Sequence, residues 1–174
     1  AWCDSRMFNN YRDNTMRSMT GATRLGIEKM PPAFTRGVLI DMVALRGRPL
    51  HAGEVISRAD IEACLAKDGL RVESGDAVLL YTGWLEQNLG KDDIDFNVEP
   101  GIDYEAGLWL AQQEVALIGA DNYAVEVLPF AEGTVFPVHQ CVIRDYGIAL
   151  LEGMQQRLGW EAIVDAGHII GLAG

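Results

Sequence analysis

The chain contains 174 residues, of which 49% are hydrophobic and 22% are charged; these values are typical of a globular protein and exclude an intrinsically disordered one. A chain of this length predicts one domain over 1–174. The formal net charge of −11 at pH 7 argues against nucleic acid as a partner, because phosphate binding depends on clustered Lys and Arg, and it favours a small molecule or a protein.

Three apolar segments rich in β-branched residues predict strands that are buried on both faces. They cover 35–45, 75–84 and 115–121, and Asp41 interrupts the first of them. Strands of this kind imply a sheet that is largely covered by other elements.

Two amphipathic helices are predicted between consecutive strands. In 57–69, Ser57 can cap the helix with Asp60 three residues later. In 100–114, Asp103 is the expected N-cap. The order strand, helix, strand, helix, strand predicts an α/β fold.

The segment 85–99 contains five acidic residues and little apolar periodicity. This pattern predicts a solvated loop. Loops of this length are uncommon without a function, and covering a pocket is one role that the segment could have.

The stretch "PVHQCVIRDYGIALLEGM" (137–154) predicts a helix over 138–146, a left-handed cap at Gly147 and then a short strand. His139 falls in the first turn of the helix and Glu152 at the end of the strand, so the reversal of the chain allows the two side chains to meet. Imidazole and carboxylate are suitable ligands for zinc or manganese, but two ligands make only half of a site. The alternative is a histidine at a helix start and an ordinary surface acid.

Three further polar residues follow the third predicted strand: Asp121, Asn122 and Glu126. They stand at the carboxyl end of the strand, where α/β sheets tend to bind ligands. The alternative is a turn capped by Asp and Asn, with Glu126 in solvent. Of the other two histidines, His51 lies in a turn context and is interpreted as a solvated residue, and His168 stands at the start of the final apolar run. Neither has a ligand partner at short spacing, so neither is interpreted as functional.

The cysteines, Cys3, Cys64 and Cys141, are odd in number and have no CxxC spacing. Neither a disulfide framework nor a cysteine zinc site is supported, so we expect buried thiols and a cytoplasmic location. No apolar run approaches the roughly 18 residues of a membrane helix, which predicts a soluble protein with no membrane partner. GxSxG, P-loop and GxGxxG motifs that would indicate other enzyme classes are missing.

Six segments, in order along the chain, resemble the cyclase family of metal-dependent hydrolases, which includes the kynurenine formamidases and isatin hydrolases. These segments are "RMFNN" (6–10), "TRGVLIDM" (35–42), "GDAVLLYTGW" (75–84), "PGIDYEAGLWL" (100–110), "GADNYAVEV" (119–127) and "PVHQCVIRDYGIALLE" (137–152). Each segment is weak alone, whereas the ordered set is specific.

The resemblance implies a swivelling β/β/α domain, a homo-oligomer and metal-assisted hydrolysis of an amide, formamide or lactam-type bond in a small molecule. In the two-metal members, a histidine and a later glutamate of a PVH…E segment belong to the metal centre. The matching residues are His139 and Glu152, so the resemblance implies that they are ligands of Zn²⁺ or Mn²⁺.

One departure from the family pattern is clear. The signature HxGTHxD motif, which supplies most ligands and the catalytic base, does not occur in the 174 residues. Because "AWCDSRMFNN" resembles the segment that follows this motif, we expect a domain truncated at both ends, an internal portion of a longer chain, with its catalytic residues upstream of Ala1. The segment alone is expected to be inactive.

Four aromatic residues are candidates for lining a substrate pocket, namely Trp2, Phe8, Tyr11 and Trp84. The alternative is that they are ordinary core aromatics. A second reading of the whole chain is a metal-free small-molecule binding or interaction protein on the same fold, because the signature motif is missing.

Overall fold

The computed structural model describes residues 4–19, 21–154 and 169–172. The strands are β1 (Met16–Arg17), β2 (Gly21–Ala22), β3 (Ala33–Asp41), β4 (Val55–Ile56), β5 (Ala77–Tyr81), β6 (Gly101–Ile102), β7 (Leu117–Ala120), β8 (Ala149–Leu151) and β9 (Ile169–Leu172). The helices are α1 (Met42–Arg46), α2 (Arg58–Lys67), α3 (Trp84–Asn88), α4 (Tyr104–Gln112) and α5 (Pro137–His139). In this part of the chain, no helix is long and apolar enough to cross a membrane.

The central sheet has the strand order β8-β7-β5-β3-β9. Neighbouring strands are parallel from β8 to β3, and β9 pairs with β3 in the antiparallel direction. The parallel core built from the three predicted strands confirms the predicted α/β class.

The prediction of a strand over 35–45 is wrong at the C-terminal end of this segment. Strand β3 stops at Asp41, whose side chain accepts a hydrogen bond from the backbone N–H of Ala44 (2.7 Å) and thereby caps α1. Apolar residues continue without a break from strand into helix, so only the capping acid marks the boundary.

Both predicted helices are present with the predicted caps. Ser57 and Asp60 form a reciprocal capping box at the start of α2, and the Asp103 side chain accepts from the N–H of Ala106 (2.8 Å) at the start of α4. Apolar residues of α2 and α4 pack on one face of the sheet, around Ile40 and Leu80. The other face carries a smaller apolar cluster around Leu79 and Leu117.

The prediction of a solvated loop over 85–99 is wrong at both ends. Helix α3 occupies 84–88, and the acid that closes the segment, Glu99, is fully buried. Between them, 89–98 contains no helix or strand.

The predicted helix over 138–146 begins with α5 and continues as a π-helical segment, Gln140–Asp145. Gly147 has φ 72°, as predicted for the left-handed cap, and a side chain at this position would collide with the ring of Phe8. Strand β8 follows directly and leads to Glu152.

Gly101 allows a close backbone approach that determines where Glu126 lies. The next residue in β6, Ile102, donates its N–H to Val125 O (3.1 Å) and accepts from the N–H of Val127 (3.0 Å). A Cβ atom on Gly101 would lie 2.5 Å from Val125 O and would also overlap the carbonyl carbon of Glu126. Only glycine therefore fits at this crossing.

Replacing this glycine is expected to destabilise the fold. In Gly101→Ala the backbone of 125–126 must move, so we expect a loss of about 2–3 kcal/mol in the free energy of unfolding, in the upper part of the overpacking range. Gly133→Ala is the control, because its Cβ would meet no atom within 4 Å and it bears only the strain of φ 79°, about 1 kcal/mol. Urea denaturation followed by circular dichroism measures both, and equal losses would contradict the close approach.

Candidate metal centre

The candidate site lies at the carboxyl ends of the parallel strands β5, β7 and β8. Thr82 follows β5, Asp121 follows β7 and Glu152 follows β8. Parallel pairing of these strands places their carboxyl ends at the same edge of the sheet, which is where ligands bind in open α/β sheets.

His139 is held between two carboxylates. Its Nδ1 atom lies 2.5 Å from Glu126 Oε1, and its Nε2 atom lies 2.9 Å from Glu152 Oε1. The side chain of Glu126 is 2% exposed, that of His139 17% and that of Glu152 42%. The structure therefore brings together the two predicted ligands, with a buried acid on one side of the imidazole and a more exposed one on the other.

Glu126 also binds the first turn of α5. The backbone N–H of Val138 donates to its Oε2 (3.1 Å), and the backbone N–H of His139 donates to its Oε1 (3.1 Å). Pro137 occupies the first turn, and Phe136 at the N-cap position provides no side-chain hydrogen bond. Glu126 thus takes the role that an N-cap side chain usually has.

The two carboxylates determine the charge of the imidazole. Burial disfavours the imidazolium, but the hydrogen bonds with Glu126 and Glu152 outweigh burial and raise the pKa of His139 to about 9. Without a metal ion, His139 is therefore protonated at neutral pH.

Asp121 links two strand ends inside the protein. Its Oδ1 accepts from the backbone N–H (2.9 Å) and the hydroxyl (2.7 Å) of Thr82, and the hydroxyl oxygen accepts from the N–H of Trp84 (3.1 Å). Burial raises the pKa of Asp121 against these hydrogen bonds. Its Oδ2 is buried and has no hydrogen-bond partner within the described part of the chain.

The three polar residues predicted after the third strand are all buried: Asp121, Asn122 and Glu126. Asn122 closes a turn by accepting the N–H of Val125 (3.0 Å), as the capped-turn interpretation requires. The alternative that places Glu126 in solvent is wrong, since its carboxylate is used by the helix and by His139.

Glu99 is a second buried carboxylate near the site. It accepts the backbone N–H groups of Tyr123 (2.9 Å) and Ala124 (2.6 Å). Burial raises its pKa to about 7 despite these two hydrogen bonds, and the charges of Glu152 and Asp121 add to the rise. At neutral pH the Glu99 carboxyl is therefore only partly ionised.

The predicted substrate-binding aromatics lie in different surroundings. Trp84 is buried, and its ring lies 6.0 Å from that of Phe96, which in turn lies 5.2 Å from the ring of Tyr123. Phe8 packs where a side chain on Gly147 would be, and Tyr11 lies under the guanidinium of Arg24 (5.6 Å). Trp2 is outside the described residues.

The remaining predictions concern histidines and cysteines. His51 is exposed, in agreement with its interpretation as a solvated residue, whereas His168 falls outside the described residues. Cys64 and Cys141 are free and buried, as expected of small apolar residues, and Cys3 falls outside the described part.

Sequence reasoning missed the roles of Glu99 and Glu126. Glu99 binds amides 24 and 25 residues away, and Glu126 binds a helix that begins more than ten residues later. Neither acid has a partner at a spacing that a local rule recognises. The one available signal for Glu126 was its place just after a buried strand.

The sequence pattern of a family described as "Putative cyclase" matches residues 13–127. This match covers more than half of the 174 residues, and the chain belongs to the cyclase family. Among curated proteins, none matches the chain.

Solved structures give the same fold. A structure described as a novel cyclase is 31% identical, with a TM-score of 0.81, and the alignment covers 97% of this chain and 57% of that protein. Isatin hydrolase A from Ralstonia solanacearum is 19% identical, with a TM-score of 0.56 and coverage of 76% and 50%. A potential metal-dependent hydrolase with cyclase activity is 21% identical, with a TM-score of 0.51 and coverage of 83% and 59%.

The likeness to the cyclase structure confirms the predicted swivelling β/β/α fold type. The chain spans 57% of the length of that cyclase and about half of the isatin hydrolase. At identities of 19% and 21%, the other two structures support the fold alone.

Glu99 makes stability depend on pH in an identifiable window. Because the pKa of Glu99 rises from 4.5 to about 7 on folding, the carboxyl group favours the folded state most at low pH. Its contribution to the free energy of unfolding is fully present below pH 4.5 and is lost as the pH rises through about 7. Relative to Glu99→Gln, which cannot titrate, the wild type is expected to lose up to about 3 kcal/mol between pH 4.5 and 8.

Urea denaturation at a series of pH values, with a chelator present, measures this difference. Glu132→Gln is the control, because it removes the same charge from an exposed position. The assignment is wrong if the wild type and Glu99→Gln show the same pH dependence.

Proposed function

We propose that the protein is a metal-dependent hydrolase that cleaves an amide, formamide or lactam-type bond of a small molecule. The proposal is supported by membership of the cyclase family and by similarity in fold to hydrolases. The observation that carries it is the convergence of His139 Nε2 and Glu152 Oε1.

The two donor atoms suit one divalent metal ion. They are 2.9 Å apart, whereas two ligands on a tetrahedral zinc ion, each about 2.0–2.1 Å from the metal, are separated by about 3.3 Å. A small side-chain adjustment would bring them to this separation, and the more exposed Glu152 has room for it. Zn²⁺ and Mn²⁺ both accept this pair of ligand types.

His139 and Glu152 form only part of such a centre. In the described ranges, no group of three or more His, Cys, Asp or Glu side chains is arranged to hold a metal ion. The family resemblance assigns the further ligands and the general base to the HxGTHxD motif, which the 174 residues do not contain.

The chemistry divides between the metal ion and the protein. A bound Zn²⁺ or Mn²⁺ would polarise the scissile carbonyl and lower the pKa of water. His139 and Glu152 would hold the ion, and Trp84, which is buried beside Phe96, would help to exclude water from the substrate pocket. We further propose that Trp2, Phe8 and Tyr11 contact the substrate and that the protein is a cytoplasmic homo-oligomer.

Metal binding by the full-length protein tests the proposed site. We expect tight binding of Zn²⁺ or Mn²⁺, measured by chelator competition, and at least about 100-fold weaker binding in His139→Ala and in Glu152→Gln, because changes outside the ligand shell alone cost about 10–100-fold. His51→Ala is the matched control, since it removes an exposed histidine.

The reaction is tested with the same variants. The metal-loaded protein is expected to hydrolyse members of a panel of aryl formamides and cyclic amides, and chelation is expected to stop the reaction until metal is restored. A full-length protein with no bound transition metal and no metal-restored hydrolysis would support the metal-free binding protein instead.

A further inference from the structure

The geometry points to Glu126 as a positioning residue that fixes the imidazole of His139 with Nε2 facing Glu152, an inference that rests on the proposed metal site. Glu126 does not itself bind the metal. It acts through His139, by deciding which ring nitrogen is free to coordinate and where that nitrogen points.

The first step concerns the two nitrogens of the ring. A carboxylate oxygen can only accept, so the 2.5 Å contact between Glu126 Oε1 and Nδ1 places a proton on Nδ1. Nε2 also faces a carboxylate and is therefore protonated in the metal-free protein. Because Glu126 is buried and Glu152 is more exposed, metal binding would keep the proton on Nδ1 and remove the one on Nε2. Nε2 is the atom that faces Glu152 Oε1 at 2.9 Å, so the tautomer and the direction of coordination are set together.

The second step concerns the backbone that carries the ring. Glu126 accepts the N–H groups of Val138 and His139, Pro137 has no N–H, and the N–H of Gln140 donates to Phe136 O (3.0 Å). Val138 and His139 are the residues with an N–H in the first turn of α5, where a helix leaves amides without intrahelical partners, and Glu126 accepts both. One carboxylate fixes both the main chain and the side chain of His139.

The third step separates the roles of the two acids. Glu126 accepts three hydrogen bonds and its side chain is 2% exposed. To bind a metal ion directly it would have to give up buried N–H groups, each of which would cost about 1–3 kcal/mol. Glu152 is 42% exposed and can bind the ion without breaking the start of α5.

The surroundings restrict Glu126 and the ring from other directions. The ring of Phe136 meets the imidazole edge to face, with centroids 5.0 Å apart. The backbone of 125–127 is tied to Ile102 and lies directly against Gly101. Both the imidazole and the carboxylate that orients it are thus held by packed elements, as a preorganised site requires.

The wild-type protein provides the first test, which needs no variant. In the zinc-loaded, full-length protein with ¹⁵N-labelled histidine, we expect the His139 ring to show a protonated Nδ1 and a metal-bound Nε2, with assignment by loss of the signals in His139→Gln. Coordination through Nδ1, or a proton on Nε2, overturns the inference.

Two substitutions provide the second test. Glu126→Gln places an amide nitrogen where one carboxylate oxygen accepts N–H groups, so we expect about 10–100-fold weaker Zn²⁺ binding and a disturbed Nδ1 proton signal. Glu126→Asp keeps both oxygens and is expected to retain part of the affinity. Circular dichroism establishes that each variant is folded.

Asp76→Asn is the control, because Asp76 is a buried carboxylate that accepts the backbone N–H of Glu73 (2.7 Å) and stands at the amino end of β5, the opposite edge of the sheet from the site. It is expected to leave the His139 ring signals unchanged. If Glu126→Gln binds Zn²⁺ as tightly as the wild type while His139→Ala does not, the positioning role is wrong and the metal site stands. If the wild type binds no metal, both proposals fail.

Discussion

The candidate site depends on the hydrogen bonds that the buried carboxylate of Glu126 accepts at the start of α5. An ionised acid inside a protein is costly unless hydrogen bonds satisfy it, and Glu126 meets this condition with two backbone amides and the ring of His139. The negative charge is also favourable at a helix N-terminus. The same contacts that make Glu126 tolerable inside the protein leave His139 little freedom to turn.

The parallel sheet supplies the rest of the geometry. Residues far apart in sequence reach one edge because β5, β7 and β8 run in the same direction. Asp121 joins the ends of β5 and β7 through Thr82, and Glu152 arrives at the end of β8. The positions of these polar side chains therefore depend on the register of the strands. A shift of one residue would turn the side chains of a strand to the opposite face of the sheet.

Local rules predicted the local structure well. Ser57 with Asp60, and Asp103, cap their helices as their spacing indicates, because capping involves residues three or four positions apart. The carboxylates of Glu99 and Glu126 could not be placed in this way, since their partners come from other elements. The π-helical course of 140–145 also leaves no separate mark, because its apolar spacing is close to that of an α-helix.

The difference in exposure between the two acids around His139 gives the site a direction. Bulk water reaches the imidazole from the side of Glu152, whose side chain is 42% exposed, and not from the side of Glu126, at 2%. In the proposed centre, Glu152 would therefore be the ligand nearer to solvent and His139 the ligand nearer to the protein interior. The solvent-facing ligand and the buried carboxylate that orients the imidazole would then lie on opposite sides of one ring.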